Sequence, residues 1–120
     1  MTLNVTGSIY DQTDKHTAGG RASDIAQATT LKESGRITVQ TSEVDLNKST
    51  EVASPGWCLL KNAGATDRID LGFATTVYDM SLEPGESTVF RLISTGSARI
   101  FVKAEGANDS NNLEFAFYAI

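Results

Sequence analysis

Val77-Tyr78-Asp79-Met80-Ser81-Leu82, then Glu83-Pro84-Gly85-Glu86, then Thr88-Val89-Phe90-Arg91-Leu92-Ile93: this stretch decides the fold, because it spells strand, turn, strand. In both flanking runs apolar and polar residues alternate. On an extended backbone successive side chains point to opposite faces, so the apolar ones collect on one side and the polar ones face water. Between the runs, Pro84 pre-sets the dihedral for the second position of a tight turn, and Gly85 tolerates the positive φ that a type II turn needs at its third.

Working outward, the same pattern recurs on both sides. Upstream lie Trp57-Cys58-Leu59-Leu60 and Ile69-Asp70-Leu71-Gly72-Phe73, and downstream lie Arg99-Ile100-Phe101-Val102-Lys103-Ala104 and Leu113-Glu114-Phe115-Ala116-Phe117-Tyr118-Ala119-Ile120. These runs are rich in the β-branched and aromatic residues that pack well on a pleated surface. Nearer the start, Leu3, Val5 and Ile9 alternate with Asn4, Thr6 and Ser8, Ile37 and Val39 alternate with Thr38 and Gln40, and Val44 and Leu46 continue the period. Turn chemistry separates the runs at Asn62-Ala63-Gly64-Ala65-Thr66-Asp67, at Ser94-Thr95-Gly96-Ser97 and at Gly106 through Asn112.

Strands spaced by roughly 8 to 12 residues with turn signals between them point to a sandwich or barrel rather than to βαβ units. The expected fold is therefore all-β, an antiparallel β-sandwich. With 120 residues it forms one domain over 1–120, since single cores usually organise about 100 to 200 residues. Residues 11–35 are expected to be a long loop or N-terminal arm. Asp11 through Arg21 is polar and holds Gly19-Gly20, and residues 23–31 carry a thin apolar stripe, enough for a short helix capped by Ser23 or Asp24.

Charge narrows the function classes. Ten Lys and Arg against 15 Asp and Glu leave a formal net charge of -5. Nucleic-acid affinity is mostly phosphate neutralisation by clustered cations, so an acidic chain without a Lys/Arg run is not expected to bind DNA or RNA. The single cysteine, Cys58, cannot form an intrachain disulfide or a multi-cysteine zinc site, which suits a reducing compartment. The sequence holds no run of about 20 apolar residues, so no spanning helix is expected, and Met1-Thr2-Leu3-Asn4-Val5 does not read as a signal peptide. A domain this small buries only roughly two-thirds of its unfolded surface, which favours association into a homo-oligomer.

Catalytic groupings are thin, and no enzyme activity, catalytic residue, cofactor or metal is expected. His16 is the one histidine, set in Asp14-Lys15-His16-Thr17 with Asp11 nearby. A metal site usually needs three or more placed ligands, so a plain surface histidine is the better reading. Cys58 follows Trp57 in an apolar run, the setting of a buried, inert thiol. No Gly-x-Ser-x-Gly elbow or phosphate-binding glycine frame occurs. The acid pairs Glu83/Glu86 and Asp67/Asp70 flank turns or strand starts and read as solvated, and Asp109 lacks the spaced acids and bidentate glutamate of a calcium loop.

One resemblance adds to this. Ser54-Pro55-Gly56-Trp57, Leu60-Lys61-Asn62, Asp67-Arg68-Ile69-Asp70-Leu71-Gly72, then Leu82-Glu83-Pro84-Gly85-Glu86 and Val89-Phe90-Arg91-Leu92, resemble small structural proteins of tailed bacteriophages over about residues 36 to 120. The likeness implies a jelly-roll-like β-sandwich on the virion, assembled in the host cytoplasm, where it acts as a capsid cement or decoration protein. Its implied partners are the major capsid protein or other virion proteins. It equally permits a neck, tail or fibre-attachment component. A carbohydrate- or receptor-binding module on the same scaffold is the alternative from another class, with Trp57 or Tyr78 stacking on a sugar. The interface candidates are Tyr10, His16, Trp57, Phe73, Tyr78 and Tyr118, the last within the C-terminal Phe117-Tyr118-Ala119-Ile120.

Overall fold

A computed structural model of the chain describes residues 2–11, 16–26, 32–46, 56–93 and 99–118. Among them ten strands form and no helix: β1 (Thr2–Asp11), β2 (His16–Ala26), β3 (Lys32–Thr38), β4 (Val44–Asp45), β5 (Trp57–Asn62), β6 (Ile69–Gly72), β7 (Met80–Leu82), β8 (Ser87–Arg91), β9 (Phe101–Ala104) and β10 (Asn112–Tyr118). The first two make a separate antiparallel ribbon. The other eight make two four-stranded antiparallel sheets, ordered β3-β10-β5-β8 and β4-β9-β6-β7.

Pairing in these eight strands is nested. β3 pairs with β10, β4 with β9, β5 with β8 and β6 with β7, so the chain from β3 to β10 is one long hairpin closing around the β6–β7 connection. Two further ladders, β10 with β5 and β9 with β6, join the nested pairs alternately into the two sheets.

Burial shows why the period-two runs fold this way. Along β10 the inward residues Leu113, Phe115 and Phe117 alternate with half-buried Asn112, Glu114, Ala116 and Tyr118, and along β5 Cys58, Leu60 and Asn62 point inward. Ile69 and Leu71 of β6, Leu82 of β7 and Val102 and Ala104 of β9 come from the other sheet into the same core. Burying one such Leu, Ile, Val or Phe side chain stabilises by roughly 1.5–3 kcal/mol before conformational entropy is subtracted.

Two polar residues sit fully inside this end of the core. Asn62 donates through Nδ2 to the carbonyls of Asp67 and Leu82, both at 2.9 Å, while its Oδ1 accepts from the Gly64 amide at 3.0 Å. It thereby staples the 63–68 connection to the end of β7. Asn111 donates to Asp67 Oδ2 at 3.0 Å and to the Gly106 carbonyl at 2.8 Å, which holds the β9–β10 connection against the same loop. The turn before β8 has the expected form: Gly85 has φ of 89°, and the Glu86 amide donates to the Glu83 carbonyl at 3.0 Å.

Several expectations are corrected. The stretch 11–35, read as loop or arm, is strand over 16–26 and over 32–38. The short helix suggested for 23–31 does not form over 23–26, which end β2, and 27–31 lie outside the described residues, as does the turn expected at 94–97. Ser23 and Asp24, taken as cap residues, stand at a β-bulge instead: Leu3 pairs with Ile25 and Val5 with Ala22, so two residues of β2 oppose Asn4. Pairing with β1 overrides the weak local preference, because period-two partners across a ladder need no periodicity of their own. Phe117, offered as a surface contact, is 0% exposed and among the largest side chains in the core. The strand expected over 77–82 begins only at Met80, because residues 73–79 leave the sheet and cross over it.

Candidate functional site

The outer faces of the two sheets differ, and the difference starts at Gly72. Asp70 and Gly72 of β6 face away from the core, as do Phe101 and Lys103 of β9. A Cβ on Gly72 would stand 1.7 Å from the Val77 carbonyl oxygen, so the 73–79 segment lies directly on the sheet there. Glycine is the residue that permits this approach. Thr76, at φ 61°, turns the segment, and Val77 bridges back to Ala74.

Beyond that turn the Tyr78 ring lies over Lys103, whose Nζ is 4.9 Å from the ring centroid. Its hydroxyl donates to Glu43 Oε2, which also accepts from the Thr76 amide at 2.8 Å. Those two hydrogen bonds, the Tyr78 hydroxyl first, hold the Glu43 carboxyl below its ordinary value. Burial first, and the Glu43 hydrogen bond second, push the Tyr78 phenol up to about 12. The chain thus straps its own second sheet from β6 across to the residue before β4.

The first sheet has no such cover among the described residues. Register arranges its outward residues in rows across β3, β10, β5 and β8. One row is Tyr118, Trp57 and Arg91, the next is Ser34, Ala116, Leu59 and Val89, and the third is Arg36, Glu114, Lys61 and Ser87. Leu59 and Val89 are each 39% exposed at the centre. Ser34, Gly35 and Ala116 are small, so a shallow depression opens beside Leu59 over β3 and β10, with Arg36 and Glu114 at its rim.

Charge on this face runs against the chain as a whole. Its rows hold Arg36, Lys61 and Arg91 but one carboxylate, Glu114, in a chain of net charge -5. Arg36 pairs with Glu114 and holds that carboxyl below its ordinary value. The middle row, with Leu59 and Val89, is thus apolar, and the rows on either side of it carry the cations.

The candidate residues fall in three places. Trp57 and Tyr118 are cross-strand partners on the open face. Trp57 is half-buried there, and its indole nitrogen is buried without a hydrogen-bond acceptor. Tyr78 belongs to the strap, and Phe73, 43% exposed, rests edge-on against Phe90 with ring centroids 5.6 Å apart. Tyr10 and His16 lie in the ribbon, Tyr10 paired with Thr17 and His16 with Asp11, and Ala119 and Ile120 lie outside the described residues. Leu59, Val89 and the cationic rim were missed as site residues. The available signal was Leu59 beside Leu60, two adjacent leucines that cannot both face inward on one strand.

The chemistry-bearing side chains are dispersed. Cys58 is buried, and burial pushes its thiol up to about 12, where little thiolate exists at neutral pH. Among the described residues no three of His, Cys, Asp and Glu gather as a metal-binding group, and no helix is long and apolar enough to cross a membrane. Comparison with known proteins finds no matching family model, no matching curated protein and no matching solved structure.

Proposed function

We propose that this chain is a non-enzymatic jelly-roll protein of a bacteriophage virion, a cement or decoration protein that docks other protein chains on its open sheet face and stabilises the particle. The open face carries the docking part of the reading. Leu59 and Val89 stand exposed at its centre within a cationic rim, while the opposite sheet is already covered by its own strap. Apolar patches rimmed by polar residues mark interaction sites.

The nested pairing supports the jelly roll. A long hairpin with pairs β3·β10, β4·β9, β5·β8 and β6·β7, folded into two four-stranded sheets, fits that reading, since a jelly roll is built of eight strands in two sheets. The likeness of the Trp57 strand and the Leu82-to-Glu86 turn to tailed-phage structural proteins supplies the virion context. Fold class alone does not carry a function. Against the sugar-binding alternative stands the burial of the Trp57 indole nitrogen, which leaves less ring open for stacking than Leu59 and Val89 offer for protein packing.

Particles lacking this protein provide the test. Purified chain should sediment with them and raise their resistance to heat or chelation, and a Leu59→Glu, Val89→Glu double variant that keeps its circular dichroism spectrum should bind at least about tenfold more weakly. A folded wild-type chain that ignores such particles overturns the reading.

A further inference from the structure

A sheet that does not close into a barrel ends in strands whose outer backbone groups have no ladder partner. Such an edge templates pairing with another chain unless something blunts it. The two four-stranded sheets end in β3, β8, β4 and β7. Three of these are blunted. β4 and β7 are two and three residues long, and β3 holds Gly35 at its middle between the charged Glu33 and Arg36. β8, Ser87-Thr88-Val89-Phe90-Arg91, has five residues, no Pro, Gly or Lys, and a single charge at its end.

The ladder shows which backbone groups that edge presents. Antiparallel strands alternate bonded and non-bonded pairs. Between β5 and β8 the bonded series is fixed at its two ends, where the Asn62 amide donates to the Glu86 carbonyl at 2.9 Å and the Leu92 amide donates to the Gly56 carbonyl at 2.8 Å. Thr88 and Phe90 are therefore engaged with β5, and the N–H and C=O groups of Ser87, Val89 and Arg91 point off the sheet. Among the described residues no strand meets them. Apolar surface gathers at the same edge. Of the five large apolar side chains exposed among the described residues, Val89 lies on β8 and Leu59 is its cross-strand partner, Ile93 follows β8 at 76% exposure, and Phe73 rests on Phe90.

We infer that β8 pairs antiparallel with β8 of a second copy about a twofold axis at Val89, so that two β3-β10-β5-β8 sheets join edge to edge. In this register β8 is its own complement. An axis perpendicular to the sheet keeps both outer faces on one side, so Ser87, Val89 and Arg91 face Arg91, Val89 and Ser87 of the second copy, and the outward backbone groups of all three find partners. The row of Ser34, Ala116, Leu59 and Val89 then meets its own copy at Val89, and each Arg91 faces a serine rather than another arginine. Backbone pairing supplies the affinity and the alternate side chains the specificity. This contact lies beyond the docking reading, because it uses the edge and leaves the outer face of both copies open.

Val89→Pro separates pairing from folding, since it removes an N–H that points off the sheet and no bond of the β5 ladder. Light scattering should report a dimer for the wild-type chain, and Val89→Pro should weaken dimerisation at least about tenfold while keeping its circular dichroism spectrum. Val89→Lys leaves the backbone unaltered and should weaken the dimer as well by setting like charges opposite each other, and mixing it with Val89→Glu should restore dimers containing one copy of each. Val89→Cys copies should join through a disulfide under mild oxidation, because the buried Cys58 thiol does not compete. Leu59→Cys copies should not, since three strand spacings of about 4.8 Å separate the two positions, beyond the ~7 Å that a disulfide spans.

A monomer at every concentration, or a dimer indifferent to both Val89→Pro and Val89→Lys, overturns edge pairing. A disulfide through Leu59→Cys as ready as that through Val89→Cys also overturns it, by placing the copies face to face. Edge-paired dimers that ignore particles would leave this inference standing and remove the virion reading. A monomer that binds particles would do the reverse.

Discussion

Asn62 shows how much of this structure hangs on single polar contacts. Its amide satisfies two carbonyls and one amide in two segments, the 63–68 connection and the end of β7. Asn62→Ala should therefore cost about 2–4 kcal/mol in urea unfolding, since each orphaned buried group costs about 1–3 kcal/mol. Glu43 acts on a titrating scale. Its folded carboxyl is held below its ordinary value by Tyr78 and Thr76, so the stabilisation it contributes is present above the ordinary carboxylate range and fades as pH falls through the lowered value. The Tyr78 phenol is raised to about 12, so its share is present below the ordinary phenol value and is lost as pH rises towards 12. Thermal melts of the wild type and Glu43→Gln should thus differ most at neutral pH, and the gap should close as pH falls below the ordinary carboxylate value of 4.5. A gap that stays constant across that range refutes the tether.

The 73–79 strap is an element whose position depends on an absence, the missing side chain of Gly72. A Cβ there would collide with backbone at 1.7 Å, and backbone cannot swing aside as a side-chain tip can. Gly72→Val should lift the strap, open residues 73–79 to limited proteolysis and destabilise by about 1–3 kcal/mol, while the β3-β10-β5-β8 sheet keeps its spectrum. The turn at Glu83-Pro84-Gly85-Glu86 was legible from four residues because φ at Pro84 and Gly85 is a local matter. The strap was not legible. Val77-Tyr78-Asp79 alternates as a strand would, and only the approach of Val77 to Gly72 and the reach of Tyr78 to Glu43 take it off the sheet. The β2 strand was hidden for the opposite reason: Gly19 and Gly20 have no strand pattern of their own and are held extended opposite Ser8 and Gly7.

At the scale of the whole molecule, the eight nested strands form one unit and the ribbon another. Among the described residues the core draws from both four-stranded sheets. Because β1 and β2 pair with neither four-stranded sheet, deleting residues 1–26 should leave a chain that melts cooperatively with a β-type spectrum. Loss of the cooperative transition on that deletion would show that the ribbon belongs to the core unit.

Sequence by itself determined the all-β class, the strands from Trp57 to Tyr118 and the type II turn at Gly85, because alternation and turn dihedrals are carried by neighbouring residues. Tertiary structure alone decided which face of each strand looks inward. In Trp57-Cys58-Leu59-Leu60 and in Phe117-Tyr118 apolar residues occupy both faces, and hydrophobicity cannot choose between them. The choice comes from register with β8 and β10 and from the second sheet closing over Cys58, Leu60 and Phe117, which turns Leu59, Val89 and Trp57 outward. An outer face is made by what the core leaves over, and that remainder is known only when every strand has found its partner.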